Sequence, residues 1–222
     1  MGAIDKLEAG NPGARLDAAK ALRIAQTYHA FICSNINNSI EWTLENGYRT
    51  IIASLGISLD GTWRNKIGDL AEEQIRSLIL EWMLDHQLVA SPAISKEDLK
   101  GRLSGTYELT RTGMTMIFSS EPDIAFVENE RYLAVVEIKG GTDDAGALER
   151  YGAAQKSFQH AIKSNPHCQN FYIAAALTPE VENRIADDRL VSKTFDLVEI
   201  VSDARKREQF MLELFRYALR LV

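Results

Sequence analysis

One extended segment constrains this chain more than any other. From Tyr132 to Lys139 the sequence reads as a β-branched, apolar strand, interrupted near its end by Glu137 and Lys139. Positions i and i+2 of a strand leave the same face, so both charged side chains share one side of the sheet. Burying a charge is costly unless it is paired or bound to a metal. A central strand that carries two such residues at its end therefore points to chemistry there.

A neighbouring segment supplies the partner. Asp123 follows Pro122 at the start of a strand predicted over 123–127, and a turn between Glu128 and Arg131 returns the chain. If the two strands pair as a hairpin, Asp123 lies opposite the Glu137 end. Two facing carboxylates repel as a bare pair. A divalent cation removes that repulsion, and carboxylate oxygens with several retained waters are what Mg²⁺ prefers. A bound Mg²⁺ polarises a phosphoryl oxygen and lowers the pKa of a bound water. Lys139 is placed to orient that water and offset phosphate charge. The competing reading is a simple Glu137–Lys139 salt pair, with Asp123 only starting a strand.

The rest of the chain arranges itself around this hairpin. Residues 14–57 read as mainly helical, with Asn11-Pro12-Gly13 at the entry and breaks at Asn37-Asn38-Ser39 and Asn46-Gly47. Ile67, Leu70, Ala71, Ile75, Leu78, Ile79 and Trp82 form an apolar stripe on a helix from Trp63 to Leu88. Residues 89–105 read as a loop or short polar helix, and 107–118 as one strand. Beyond Gly140-Gly141-Thr142 the pattern predicts a helix over 144–164 and a strand over 171–177. A helix opened by Pro179, a final strand over 195–201, and a closing helix to Leu221 capped by Ser202 or Asp203 complete the order. A mixed α/β sheet with helices on both faces satisfies it, divided into an N-terminal helical segment (1–60) and a core (61–222).

Composition narrows the function classes. The 222 residues carry 25 basic and 31 acidic side chains, a net charge of −6, which is wrong for a protein that coats nucleic acid by charge alone. Cys33 and Cys168 have no CxxC spacing, and reduced thiols in a cytoplasmic protein are the expectation. No stretch is long and apolar enough to span a membrane. The four histidines show no zinc-ligand spacing.

Pro122-Asp123, with Glu137-Ile138-Lys139, resembles the PD-(D/E)xK motif of the restriction-endonuclease-like nucleases. The run EIKGGTDDAGALERYGAA, residues 137–154, resembles more narrowly the type II restriction endonucleases of the XcyI-like group. The likeness covers about residues 63–201. It implies metal held by Asp123 and Glu137, water activation helped by Lys139, and a further acid from the preceding helix. There Gly68 to Glu72 has the G-xxx-E form, which favours Glu72, with Glu73 as competitor. The activity implied is Mg²⁺-dependent, site-specific cleavage of duplex DNA, leaving 5′-phosphate and 3′-hydroxyl ends. A palindromic site is expected of it, with a homodimer built through 14–57 or the final helix. A structure-specific repair or junction nuclease and a non-cleaving DNA-binding module are the alternatives.

Weaker candidates remain. Arg102, Arg111 and Arg150 have the chemistry to read guanine edges, and Lys156, His160 and Lys163 to meet phosphates. Asp143 and Asp144 are either metal ligands or helix N-terminal charges, the second being the plainer reading. Trp42, Trp63 and Trp82 are expected in the core.

Overall fold

The computed structural model describes residues 18–38, 43–99 and 103–222. The chain divides into two compact units, Met1–Leu59 and Asp60–Val222.

In the first unit, helix α1 spans Ala18–Asn38, and helix α2 (Leu44–Asp85) begins. The Asn46-Gly47 break is not there. Thr43 caps the helix instead: Asn46 N donates to Thr43 Oγ1 at 3.1 Å and Gly47 N to Thr43 O at 3.0 Å. The pair sits in the first helical turn, where Gly and Asn interrupt no established ladder. Asn11-Pro12-Gly13 and Ser39 lie outside the described residues, as does Trp42.

The second unit is built on a seven-stranded mixed sheet whose spatial order follows the sequence. Its strands are β1 (Val89–Ser91), β2 (Gly105–Leu109), β3 (Met114–Phe118), β4 (Ile124–Glu128), β5 (Arg131–Lys139), β6 (Gln169–Ala174) and β7 (Lys193–Asp196). The first five are successively antiparallel; β5–β6 and β6–β7 are parallel. The parallel steps are bridged by α3 (Ala147–Ser164) and α4 (Pro179–Asp188), as crossover connections require. After β7 come α5 (Leu197–Ser202), α6 (Ala204–Met211) and a π-helical turn, Leu212–Ala218.

Three segments depart from the sequence expectation. The strand over 107–118 is two, β2 and β3, because Gly113 takes φ +81° in a turn that folds the chain back. The segment over 89–105 holds the short polar helix expected there, a 3₁₀ turn at Lys96–Leu99, but it also contains a strand, β1. The strand over 195–201 stops at Asp196, whose Oδ1 accepts from Glu199 N at 2.9 Å and so caps α5. Of the two candidate caps for the closing helix, Asp203 takes the role through Arg205 N.

Strand alternation sorts the core onto two faces. Ala134, Val136 and Ile138 of β5 join Ile75 and Ile79 of α2 and the C-terminal Phe210 and Phe215 in the larger cluster. On the other face Val135 packs with Ala125 and Ala161, and Tyr151 and Phe158 of α3 pack on Tyr172. Helices thus cover both faces of the sheet. Trp82 stacks on Phe215 at 4.4 Å, but Trp63 is 60% exposed, with Lys66 over its ring. Among the described residues no helix is long and apolar enough to cross a membrane.

Candidate active site

The β4–β5 ladder pairs Ile124 with Val136, which sets Asp123 beside Glu137 at the end of the hairpin. Both are almost fully buried, at 3% and 2% exposure. Asp123 is fixed by backbone: Ile138 N donates to its Oδ2 at 2.7 Å. Lys139 reaches back across both acids, its Nζ 3.2 Å from Asp123 Oδ2 and 2.6 Å from Glu137 Oε2. The three side chains singled out by spacing therefore form one cluster.

Its electrostatics follow from crowding. Burial, then the Asp123 charge, push the Glu137 carboxyl up to about 7, against Lys139 and the Ser157 hydroxyl of α3. Burial works against the Lys139 charge, but Asp123 and Glu137 outweigh it and hold the ammonium above its ordinary range. Both acids thus favour the charged form of Lys139.

A third acid arrives from α2. Glu72 lines a cleft of about 570 Å³ together with Asp69, Lys139 and Gly140. Burial and the Asp123 charge raise its pKa, while Arg76 and Lys139 lower it. Glu73 is not among the residues lining that cleft. The helix can come this close because residue 140 is glycine. A Cβ there would lie 2.6 Å from Ala71 Cβ and 2.9 Å from the Ile67 carbonyl.

Arg76, one turn beyond Glu72, went unread in the sequence. It is 4% exposed and binds Glu72 Oε2 at 3.2 Å. Its guanidinium also donates to the carbonyls of Leu103 (3.1 Å), Ser119 (2.6 Å) and Asp123 (3.1 Å). The one available signal was its place four residues after Glu72, an ion-pair spacing on a helix that also carries the core stripe.

The remaining candidates fall elsewhere. Arg111 is tied to Glu128 and to the Leu219 carbonyl, at the end of β3 and β4 away from Asp123. Lys156 is exposed on α3, outside the cleft lining. His160 meets Tyr132 edge-on. Asp143 takes the plainer of its two roles and caps the turn before α3 through Gly146 N. Arg150 lines the cleft, and Arg102 lies outside the described residues.

The donor set bears on which ion the cluster suits. Glu137 Oε1 is buried and, among the described residues, accepts no hydrogen bond. Among the described residues no three His, Cys, Asp or Glu side chains converge as a metal cage. Two carboxylates, one with an unused oxygen, do not fit a structural zinc. They do fit Mg²⁺, which takes one or two carboxylates and completes its shell with water and substrate oxygens.

A mixed sheet with helices on both faces, carrying two buried acids and a lysine at the end of a central hairpin, defines an α/β protein with its polar site at strand ends. Residues 35–192 match the family model of XcyI restriction endonuclease, and the chain belongs to that family. At family level it is thereby placed with the type II restriction enzymes. No curated protein matches it.

Proposed function

We propose that this chain is a Mg²⁺-dependent type II restriction endonuclease, cutting duplex DNA at a specific sequence and leaving 5′-phosphate and 3′-hydroxyl ends. The observation that carries the reading is the single cluster of Asp123, Glu137 and Lys139 in a member of a restriction endonuclease family. It has the PD-(D/E)xK arrangement of residues. Asp123 and Glu137 would hold the Mg²⁺, which when bound polarises a phosphoryl oxygen and lowers the pKa of a coordinated water. Lys139, kept protonated by both acids, donates to the attacking water or to a phosphate oxygen and offsets the charge that grows there. Glu72, tethered to Arg76, offers a water-orienting acceptor at the cleft.

A palindromic site calls for two active sites related by a two-fold axis. The first unit supports a homodimer through α2. Leu44, Tyr48, Ile51, Ile52, Leu55 and Leu59 recur at three- and four-residue steps, and each is more than half exposed. A second copy offers the matching stripe. The net charge of −6 suits an enzyme that must release unspecific DNA.

Plasmid DNA incubated with the protein, with and without Mg²⁺, tests the reading. Discrete, reproducible fragments only with Mg²⁺ are expected. A smear identifies an unspecific nuclease, and intact plasmid a binding protein.

A further inference from the structure

The cleft that holds Glu72 and Lys139 carries another charged group which the reaction above leaves unused. Arg150, on the first turn of α3, lines it, and so does Arg64 of α2. The Arg150 guanidinium is gripped by one residue in two places: Nη1 donates to Asp143 Oδ1 at 2.9 Å, and Nη2 to the Asp143 carbonyl at 2.5 Å. Asp143 is itself fixed, because its Oδ2 accepts from Gly146 N at 3.0 Å. Two glycines form the seat. A Cβ on Gly141 would lie 2.8 Å from Arg150 Nη1, and one on Gly146 only 2.6 Å from it. Any other residue at either place would push the guanidinium away.

A guanidinium has five N–H groups. Asp143 takes two, and among the described residues the other three have no partner. The side chain is 22% exposed, so these donors are held nearly rigid and still open to the cleft. The neighbouring cation is differently placed: the Lys139 ammonium already spans Asp123 and Glu137. Arg64 stands beside the pair, with Nη1 3.5 Å from Asp143 Oδ2 and Nε 2.8 Å from Asp60 Oδ2. A fixed planar fork with spare donors, facing a polar cleft, matches a phosphate's oxygens two at a time.

We infer that Arg150, oriented by Asp143, binds a DNA backbone phosphate next to the one presented to Lys139, with Arg64 adding charge at the same place. Arg150 would then fix where along the strand the scissile bond lies relative to Glu137. This rests on the nuclease reading of the cleft. Phosphate recognition of this kind is blind to sequence, so it serves register and not base readout.

The test uses the full chain with Ca²⁺ in place of Mg²⁺, and two labelled duplexes. One carries the sequence at which the wild-type protein is found to cut; the other is unrelated. Binding is titrated over a range of salt for wild type, Arg150→Gln, Arg150→Lys and Asp143→Asn. Loss of one phosphate contact lowers the slope of log K against log[salt] by about 0.9. Arg150→Gln is expected to show that drop, bind the cut-site duplex about tenfold more weakly, and raise KM for plasmid cleavage more than it lowers kcat. Arg150→Lys should recover most of the slope, and Asp143→Asn should weaken binding with the charge on Arg150 intact. An unchanged slope and affinity in Arg150→Gln, with a lowered melting temperature, would make the pair a structural pin and overturn the inference. If the wild type binds the unrelated duplex without cutting any DNA, a slope drop there upholds the contact while the nuclease reading fails. Failure to bind either duplex overturns both.

Discussion

The guanidinium of Arg76 donates to the backbone carbonyl of Asp123 at 3.1 Å, so the helix before the sheet holds the residue that begins its central hairpin. The same side chain binds Glu72 and two further carbonyls. One buried arginine thus fixes the relative places of the acid on α2 and the acid just before β4.

Arg76→Met should therefore affect both fold and site. It leaves three carbonyls, two of them in buried contacts, without a charged donor and Glu72 without its partner, at a cost of about 3 kcal/mol. The urea midpoint should fall accordingly, and cleavage should fall further than the remaining folded fraction explains. A variant with wild-type midpoint and rate would show that the grip is idle.

Gly140→Ala tests the closeness of helix and strand end. The added methyl would meet Ala71 Cβ and the Ile67 carbonyl, both backbone-anchored, so α2 or the strand end must shift. Overpacking of this kind costs about 1–3 kcal/mol. Thermal melting should show that loss, and cleavage should drop more steeply than for Gly152→Ala, whose Cβ meets nothing within 4 Å.

Glu137 sets a pH dependence. Its carboxyl titrates near 7 when folded, against an ordinary 4.5, chiefly because it is buried. A raised acid pKa stabilises the folded state below 4.5, and that stabilisation is lost as pH rises to about 7. Glu137→Gln should remove this trend, so the variant gains melting temperature over the wild type between pH 4.5 and 7. Cleavage should run the opposite way, being lost as falling pH protonates the carboxylate. A flat difference in melting temperature across that window would show that Glu137 does not titrate there.

The N-terminal stripe is testable without any DNA. Leu55→Glu places a charge in the middle of the exposed apolar row on α2. Sedimentation should find the wild type dimeric and the variant monomeric, with the melting of the second unit unchanged. A monomeric wild type would remove this surface from the assembly.

Much of this site was legible in the sequence for a plain reason. A strand alternates with period two, and a hairpin of known turn position fixes which residues face one another, so Asp123, Glu137 and Lys139 followed from local spacing. Glu72 needed the resemblance as well, since its carboxylate meets the cluster only through packing of α2 on the strand end. Arg76 left one trace, its spacing from Glu72; its other acceptors lie 27, 43 and 47 residues away, and are backbone carbonyls that leave no trace in side-chain pattern. The errors in the fold have local causes. Asn46-Gly47 reads as a break until Thr43 is seen as the cap. The strand over 195–201 hid a helix start because Asp196-Leu197-Val198-Glu199 follows Thr194-Phe195, which read as strand, and the apolar residues beyond it fit either period.

The most direct test of the proposed chemistry is the rate of plasmid cleavage in Mg²⁺ by wild type, Asp123→Asn and Lys139→Ala, with the fragment ends sequenced. Asp123→Asn keeps an oxygen for the Ile138 N–H but loses the charge. Both variants should keep the wild-type circular dichroism. The wild type should yield fragments with one fixed terminal sequence, and each variant should be slower by more than about a hundredfold, several kcal/mol of barrier. Undiminished cutting by Asp123→Asn, or wild-type ends scattered over unrelated sequences, would contradict the account.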